Sequence, residues 1–269
     1  KKKNLSRTMF AVKNSFFNIL YQVVNTLANI IIPPLIISKF GSAINGLIST
    51  VKQIMSYVQL VGAGISESTV VSLYKPLNDK DNKKVSSIFV ASQKAFNQAG
   101  IIFSLISLII AFIYPLFILK EQLDYHLVVL VIISLCVAGA SEFFVIGKCR
   151  AILSADQRLY IVNIAQMIGS ILSTFVTIFL IKLDANIILV EFAASATYIF
   201  RLFILSLYVK KHYNYLDKSE APDMSAISKR KDAPIHQLAS LAIFGSQTLF
   251  IANFCGLKEV SVYSVYSLI

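Results

Sequence analysis

With 56% apolar residue types against 14% charged and a mean hydropathy of +0.70, this chain of 269 residues has too little polar surface for a water-facing globule, in which about 25% of residues are charged. A soluble domain is excluded, and a membrane protein follows. The net charge of +11 would point a soluble protein toward nucleic acid, but its distribution along the chain gives it another cause.

Crossing about 30 Å of hydrocarbon takes about 20 apolar residues in a helix, and backbone exposed to lipid must satisfy its own hydrogen bonds, so the spans are helical. The basic start KKKNLSRTMF leads into an apolar run at 16–38. That run is too long for the core of a signal peptide, about 7–15 residues, and is read as a retained span. Pro33-Pro34 is expected to kink or end it. The second run, 48–73, leaves the bilayer at Tyr74, where LVGAGISESTVVSLY gives way to KPLNDKDNKK; Gly62 and Gly64 are expected to loosen it. Further runs follow at 99–119, 127–147, 160–181, 187–209 and 238–254, and an eighth begins near Val260.

The long polar segment 210–236, with Pro222 and Pro234, separates six spans from the seventh. The expected organisation is an N-terminal six-helix lobe (1–209), an inter-lobe loop (210–236) and the start of a second lobe (237–269). A short echo supports it: IISKFGSAING after the first span and FIANFCGLKEV after the seventh. Because the chain lacks an initiator Met and VSVYSVYSLI stops inside an apolar run, it is read as a fragment of a longer protein.

Sorting Lys and Arg by alternating sides places nineteen of the 25 on the side of the N-terminus, the 75–94 and 148–158 connections and the 210–236 loop. Lys39, Lys120, Lys182 and Lys258 fall on the other side. This is a positive-inside pattern with a cytoplasmic N-terminus, and no nucleic-acid partner is expected.

Polar stripes run through the spans. Asn14, Asn18, Gln22, Asn25 and Asn29 form one row of amides at helical spacing. Lys52, Ser56, Gln59, Ser66 and Glu67 share a broad face of the second span. Asn163, Gln166, Ser170, Thr174 and Thr177 line the fifth, and Glu191, Ser195 and Tyr198 the sixth, with Arg201 toward its flank. Hydroxyls and amides hold packed helices together, whereas a charge in mid-span costs at least about 2.5–3.5 kcal/mol and marks a pathway. Glu142 joins Lys52, Glu67, Glu191 and Arg201 as a charge within the spans. The expectation is a hydrated cavity. Asn18, Gln22, Asn25, Asn29, Lys52, Gln59 and Arg201 would bind substrate there, and Glu67 and Glu191 would carry a coupling proton or balance charge. Amides donate to and accept from sugar hydroxyls; Arg and Lys bind phosphate.

No Walker loop, GxSxG or HExxH is present, so no enzyme activity is expected and the chain does not itself run on ATP by the usual loop. His126, His212 and His236 are scattered, and Cys136, Cys149 and Cys255 are far apart; neither set has metal-ligand spacing. No metal and no cofactor is expected.

SKFGSAINGL, LYKPLNDKDNKKVSSIF, RAILSADQRLYIVN and GLKEVSVYSVY resemble, in that order, stretches of the polysaccharide-transport family. These are flippases for lipid-linked oligosaccharides, in the superfamily that also holds the peptidoglycan-precursor flippase and multidrug antiporters. The resemblance implies two six-helix bundles arranged in a V, twelve to fourteen spans in all. It also implies an undecaprenyl-diphosphate-linked repeat unit, turned across the cytoplasmic membrane by alternating access for surface polysaccharide such as capsule or O-antigen. Membrane lipids and polysaccharide polymerase or assembly proteins would be its partners. One departure bears on coupling: Gln247-Thr248-Leu249 stands where the resemblance implies an acidic residue. The alternatives are a multidrug or cation antiporter, whose pocket should be acidic and aromatic, a non-transporting scaffold, and a membrane-embedded glycan-processing enzyme.

Overall fold

The computed structural model describes residues 2–117, 123–228 and 246–267, and all regular structure among them is helical. The elements are α1 (Lys2–Phe40), α2 (Ser42–Asp79), α3 (Asn82–Phe117), α4 (Tyr125–Ser141), a π turn (Glu142–Ile146), α5 (Gly147–Ala155), α6 (Leu159–Lys182), α7 (Ile187–Ala196), α8 (Tyr198–His212), the short α9 (Ser225–Ser228), α10 (Ser246–Phe254) and α11 (Leu257–Tyr266). Of the expected seventh span, 238–245 lies outside the described residues, as do 229–236 of the inter-lobe loop. The architecture is that of an all-α polytopic membrane protein.

Local chemistry sets the helix ends. Asp124 accepts from Leu127 N at 3.2 Å to cap α4, and Asn186 accepts from Leu189 N at 2.8 Å to cap α7, each satisfying a donor the first turn leaves free. Lys80 closes α2 in the left-handed region at φ 57°. Gly41 (φ 88°) joins α1 to α2 and Gly256 (φ 112°) joins α10 to α11, conformations that favour glycine. The two segments that echo each other in sequence therefore share a turn. Their following helices also meet: Asn45 Nδ2 donates to Ser261 Oγ at 2.9 Å, and a Cβ on Gly46 would sit 1.8 Å from Leu257 O.

Among the described residues, five helical stretches are long and apolar enough to cross a membrane: Thr8–Phe40, Asn82–Phe117, Tyr125–Ala155, Leu159–Lys182 and Ile187–His212. The third joins α4, the π turn and α5; the fifth joins α7 and α8 through Thr197. At 38 residues, α2 has the length but not the apolarity. It packs against α1, α3, α4, α5 and α11, and neighbouring helices supply what its polar face lacks from lipid. Outward-facing Ile101, Leu105, Ile109, Phe112 and Leu116 of α3, with Phe175 and Phe179 of α6, form apolar belts of the kind soluble monomers rarely expose.

Several local expectations are corrected. Pro33 and Pro34 do not end α1, which continues to Phe40. Likewise α2 is unbroken through Gly62 and Gly64, and Gly62 instead makes room for Phe143, whose ring a Cβ would meet at 2.7 Å. The 75–94 connection is two helices running past their apolar parts, joined by a tight turn at Lys80 and Asp81. The α6 stripe is packing: Asn163, Ser170 and Thr177 are buried on a helix that packs against α1.

The interior divides into two apolar cores. One gathers Leu47, Val51, Met55, Phe103, Ile132 and Val190. The other gathers Leu73, Ile88, Ile146, Ile152, Leu205 and Val209. Along α2 the polar stretch Ser56–Glu67 falls between Met55 of the first and Leu73 of the second. Along α7 and α8, Tyr198 and Arg201 fall between Val190 and Leu205.

Candidate functional site

Two adjoining cavities occupy the level between the cores. The larger, about 430 Å³, is lined by Ser56, Gln59, Ser66 and Glu67 of α2, Glu142 and Phe143 of the π turn, and Arg150 of α5. The smaller, about 260 Å³, is lined by Lys52, Met55 and Gln59 of α2, Gly139 of α4, Glu142, and Tyr198 and Arg201 of α8. Gln59 and Glu142 line both. Lys52, Ser56, Gln59 and Ser66 follow i, i+4, i+7 and i+14, so one face of α2 supplies one wall of the site.

Arg201 is the buried cation of the site. It is 9% exposed, and its guanidinium lies 4.1 Å from the centre of the Tyr198 ring, a contact worth about 2 kcal/mol or more when water is excluded. Its Nε is buried without a hydrogen-bond partner. Gly169 of α6 makes the space: a Cβ there would stand 2.1 Å from Arg201 Nε and 2.7 Å from its Cγ. Among the described residues, no carboxylate forms an ion pair with Arg201 or Lys52, whereas Arg150 Nη2 holds Glu142 Oε1 at 3.0 Å. The site thus contains one neutralised pair and, among the described residues, two cations that form no ion pair. Glu191 is buried, with Lys52 as the cation acting on it, and Glu67 is exposed at the cavity wall.

The structure therefore brings together Lys52, Gln59, Arg201 and Glu67, with Glu191 behind Lys52. The α1 amides are placed elsewhere. Asn18, Gln22 and Asn29 are exposed, Asn25 is half-buried, and none of them lines either cavity. The α1 residue within reach of the site is Tyr21, on which Arg201, Tyr198, Arg150 and Glu142 all act. Asn14, first of the amide row, is a clamp: its Nδ2 donates to Gln157 O at 3.0 Å and its Oδ1 accepts from Tyr160 N at 2.8 Å, pinning α1 to the turn between α5 and α6.

Two contributors, Arg150 and Gly169, escape the sequence reading, and Glu142 is legible there only as a charge within the spans. Arg150 was assigned to a connection because the apolar run ended before it; the continuous α4–π–α5 helix brings it back to the site. Glu142 lies at the π turn, a distortion that often marks functional positions and that nothing in the run AGASEFFVIG announces. Gly169 carries no chemistry of its own.

No family model matches the chain. No curated protein matches it. Among solved structures, it is similar to one described as the inward-facing conformation of a multidrug resistance MATE family transporter of the MOP superfamily, with a TM-score of 0.63 and 14% identity over 91% of this chain and 56% of that one. The chain shares the fold of that structure. A second structure, described as protein A, gives a TM-score of 0.68 and 15% identity over 98% of this chain and 59% of that one. At such identities the likeness is one of fold, and the chain spans somewhat over half the length of each structure.

Proposed function

We propose that the chain forms the N-terminal lobe, 1–209, of a flippase that carries undecaprenyl-diphosphate-linked oligosaccharide repeat units across the cytoplasmic membrane by alternating access. Segment 237–269 then begins the second lobe and 210–236 links the two. The shared glycine turns at Gly41 and Gly256 and the meeting of α2 with α11 support this division. The N-terminus and the basic ends of α2, α3 and α8 face the cytoplasm, as the charge distribution favours. Membrane lipids and polysaccharide-assembly proteins are its partners.

The observation that carries the reading is the cationic, amide-bearing cavity between the two cores. Arg201 and Lys52 attract the diphosphate, Gln59 meets sugar hydroxyls, and the outer row Asn18, Gln22, Asn25 and Asn29 lines the open side of α1 where a second lobe would close the cleft. Glu67 and Glu191 balance these cations or carry a coupling proton. The second reading, a multidrug antiporter, is favoured by the described function of one structural neighbour. A pocket for organic cations, however, is poorly served by two cations that form no ion pair.

Reconstitution into liposomes with a fluorescent prenyl-diphosphate glycan tests the choice. Arg201→Ala and Lys52→Ala are each expected to slow leaflet exchange by about tenfold or more, the value of one lost charge-assisted hydrogen bond or ion contact. Unchanged exchange in both variants, or efflux of a lipophilic cation by the wild type, rejects the flippase reading.

A further inference from the structure

A second polar cavity, of about 500 Å³, lies outside the central site, where α3, α5 and α8 meet the segment that follows α8. Three ammonium groups line it: Lys148 of α5, Lys210 at the end of α8 and Lys218 beyond it. No carboxylate lines it, and among the described residues none forms an ion pair with any of the three. Lys148 is half-buried, and Lys218, which lines the same cavity, is a like charge that acts on it.

Two acids beside lining residues, Asp156 bonded to Tyr213 and Asp217 between Leu216 and Lys218, are committed elsewhere. Asp156 accepts from the Tyr213 hydroxyl at 2.7 Å and pairs with Arg158 at 2.9 Å. Asp217 accepts from the backbone N and hydroxyl of Ser219 at 2.8 and 2.7 Å. Gln93 and Asn214 add amide donors, and Phe89, Val145 and Leu216 supply an apolar wall. Three cations gathered in a partly enclosed site repel one another unless an anion joins them. Basic pockets between spans at the membrane surface are suited to phosphorylated headgroups.

We propose that this tri-lysine cavity is a binding site for a phosphate-bearing anion, separate from the central cleft. Lys148, Lys210 and Lys218 hold the phosphate oxygens as point charges. The apolar wall accepts the start of an acyl chain where the anion is a lipid headgroup.

Native mass spectrometry of the full chain in non-ionic detergent reads the site with three probes: phosphatidylglycerol, phosphatidylcholine and inorganic pyrophosphate. The triple variant Lys148→Gln/Lys210→Gln/Lys218→Gln is compared with the triple Lys→Arg variant, each checked for native helical circular dichroism. At about 1 kcal/mol per basic residue near an anionic headgroup, retention should fall about 100-fold in the glutamine triple and about fivefold in Lys218→Gln alone. The arginine triple should retain the probe. Lys218 is exposed, so the single variant keeps the test decisive where the triple does not fold. Selective retention of phosphatidylglycerol with this dependence identifies a membrane lipid. Pyrophosphate retention with the same dependence and no lipid preference identifies a soluble phosphate. Equal retention of every probe by the wild type, the glutamine triple and Lys218→Gln overturns the proposal. So does loss of binding in the arginine triple with its fold intact.

Discussion

A methyl group on Gly169 is enough to collide with Arg201. The added Cβ would sit 2.1 Å from Nε, 2.7 Å from Cγ and 2.9 Å from Cδ, and nonbonded atoms do not approach so closely. Arg201 must leave its seat over Tyr198 or α6 must shift, an overpacking cost of about 1–3 kcal/mol. On the proposed flippase reading, Gly169→Ala is expected to reduce glycan exchange toward the level of Arg201→Ala while keeping every charge. The paired measurement is exchange rate and thermal stability, and wild-type exchange would show that the seat of Arg201 is irrelevant. Arg201 itself was legible in the sequence, because a guanidinium inside FRLFIL is anomalous whatever surrounds it. Gly169 was not, since a glycine among apolar residues reads the same whether it faces lipid or an arginine.

Individual elements are fastened at their ends as well as along their lengths. The segment after α8 returns to the ends of α2 and α3: Ser72 Oγ donates to Ala226 O at 2.7 Å, Ser87 Oγ donates to Ala221 O at 2.6 Å, and Lys84 Nζ pairs with Asp223 at 2.7 Å. The Lys84 ammonium, and after it the Ser225 hydroxyl, hold the Asp223 carboxyl down at about 2 from an ordinary 3.8. Because the folded value is depressed, the stabilisation is fully present above the ordinary value and is lost as pH falls through about 2. Protection from hydrogen exchange across 217–228, taken relative to the intrinsic rate at each pH, should therefore fall between pH 4 and pH 2 in the wild type. In Asp223→Asn it should already be lowered at pH 7, with the change confined to that segment. No difference between the two proteins at pH 7 would remove the ion pair from the fastening. The same turn chemistry explains the stretch SADQRLY: Gln157 takes a left-handed φ of 59°, and Asn14 grips it from α1.

Across the whole molecule, the placement of the polar level between two apolar cores is the feature on which the proposed transport rests. A cysteine at a position on that level should react with a membrane-impermeant thiol reagent, and one on the lipid-facing belt should not. In a Cys255→Ser background, needed because Cys255 is exposed, Gln59→Cys and Asn25→Cys are expected to label and Ile109→Cys to stay protected. Protection of Gln59→Cys under every condition would exclude a water-filled cavity. The two buried cysteines, Cys136 and Cys149, should stay silent in the folded protein.

Composition and periodicity alone determined that this chain is a bundle of membrane helices. A long apolar run leaves the backbone no other way to satisfy its hydrogen bonds, and a mid-span charge stands out against it. Lys52, Gln59 and Arg201 could be nominated on those grounds. The amide row of α1 could be recognised as a row, but its surroundings could not, because a stripe beside a packed face and a stripe within it have the same spacing. Only the tertiary structure decided that Asn14 clamps a turn while Asn18, Gln22 and Asn29 stay open. It alone decided that Pro33 and Pro34 sit within a continuous helix, that Arg150 neutralises Glu142, and that three lysines from distant parts of the chain share one cavity. Such pairings depend on how helices lean and where a π turn shifts their register, and that is set by contacts between side chains far apart in sequence.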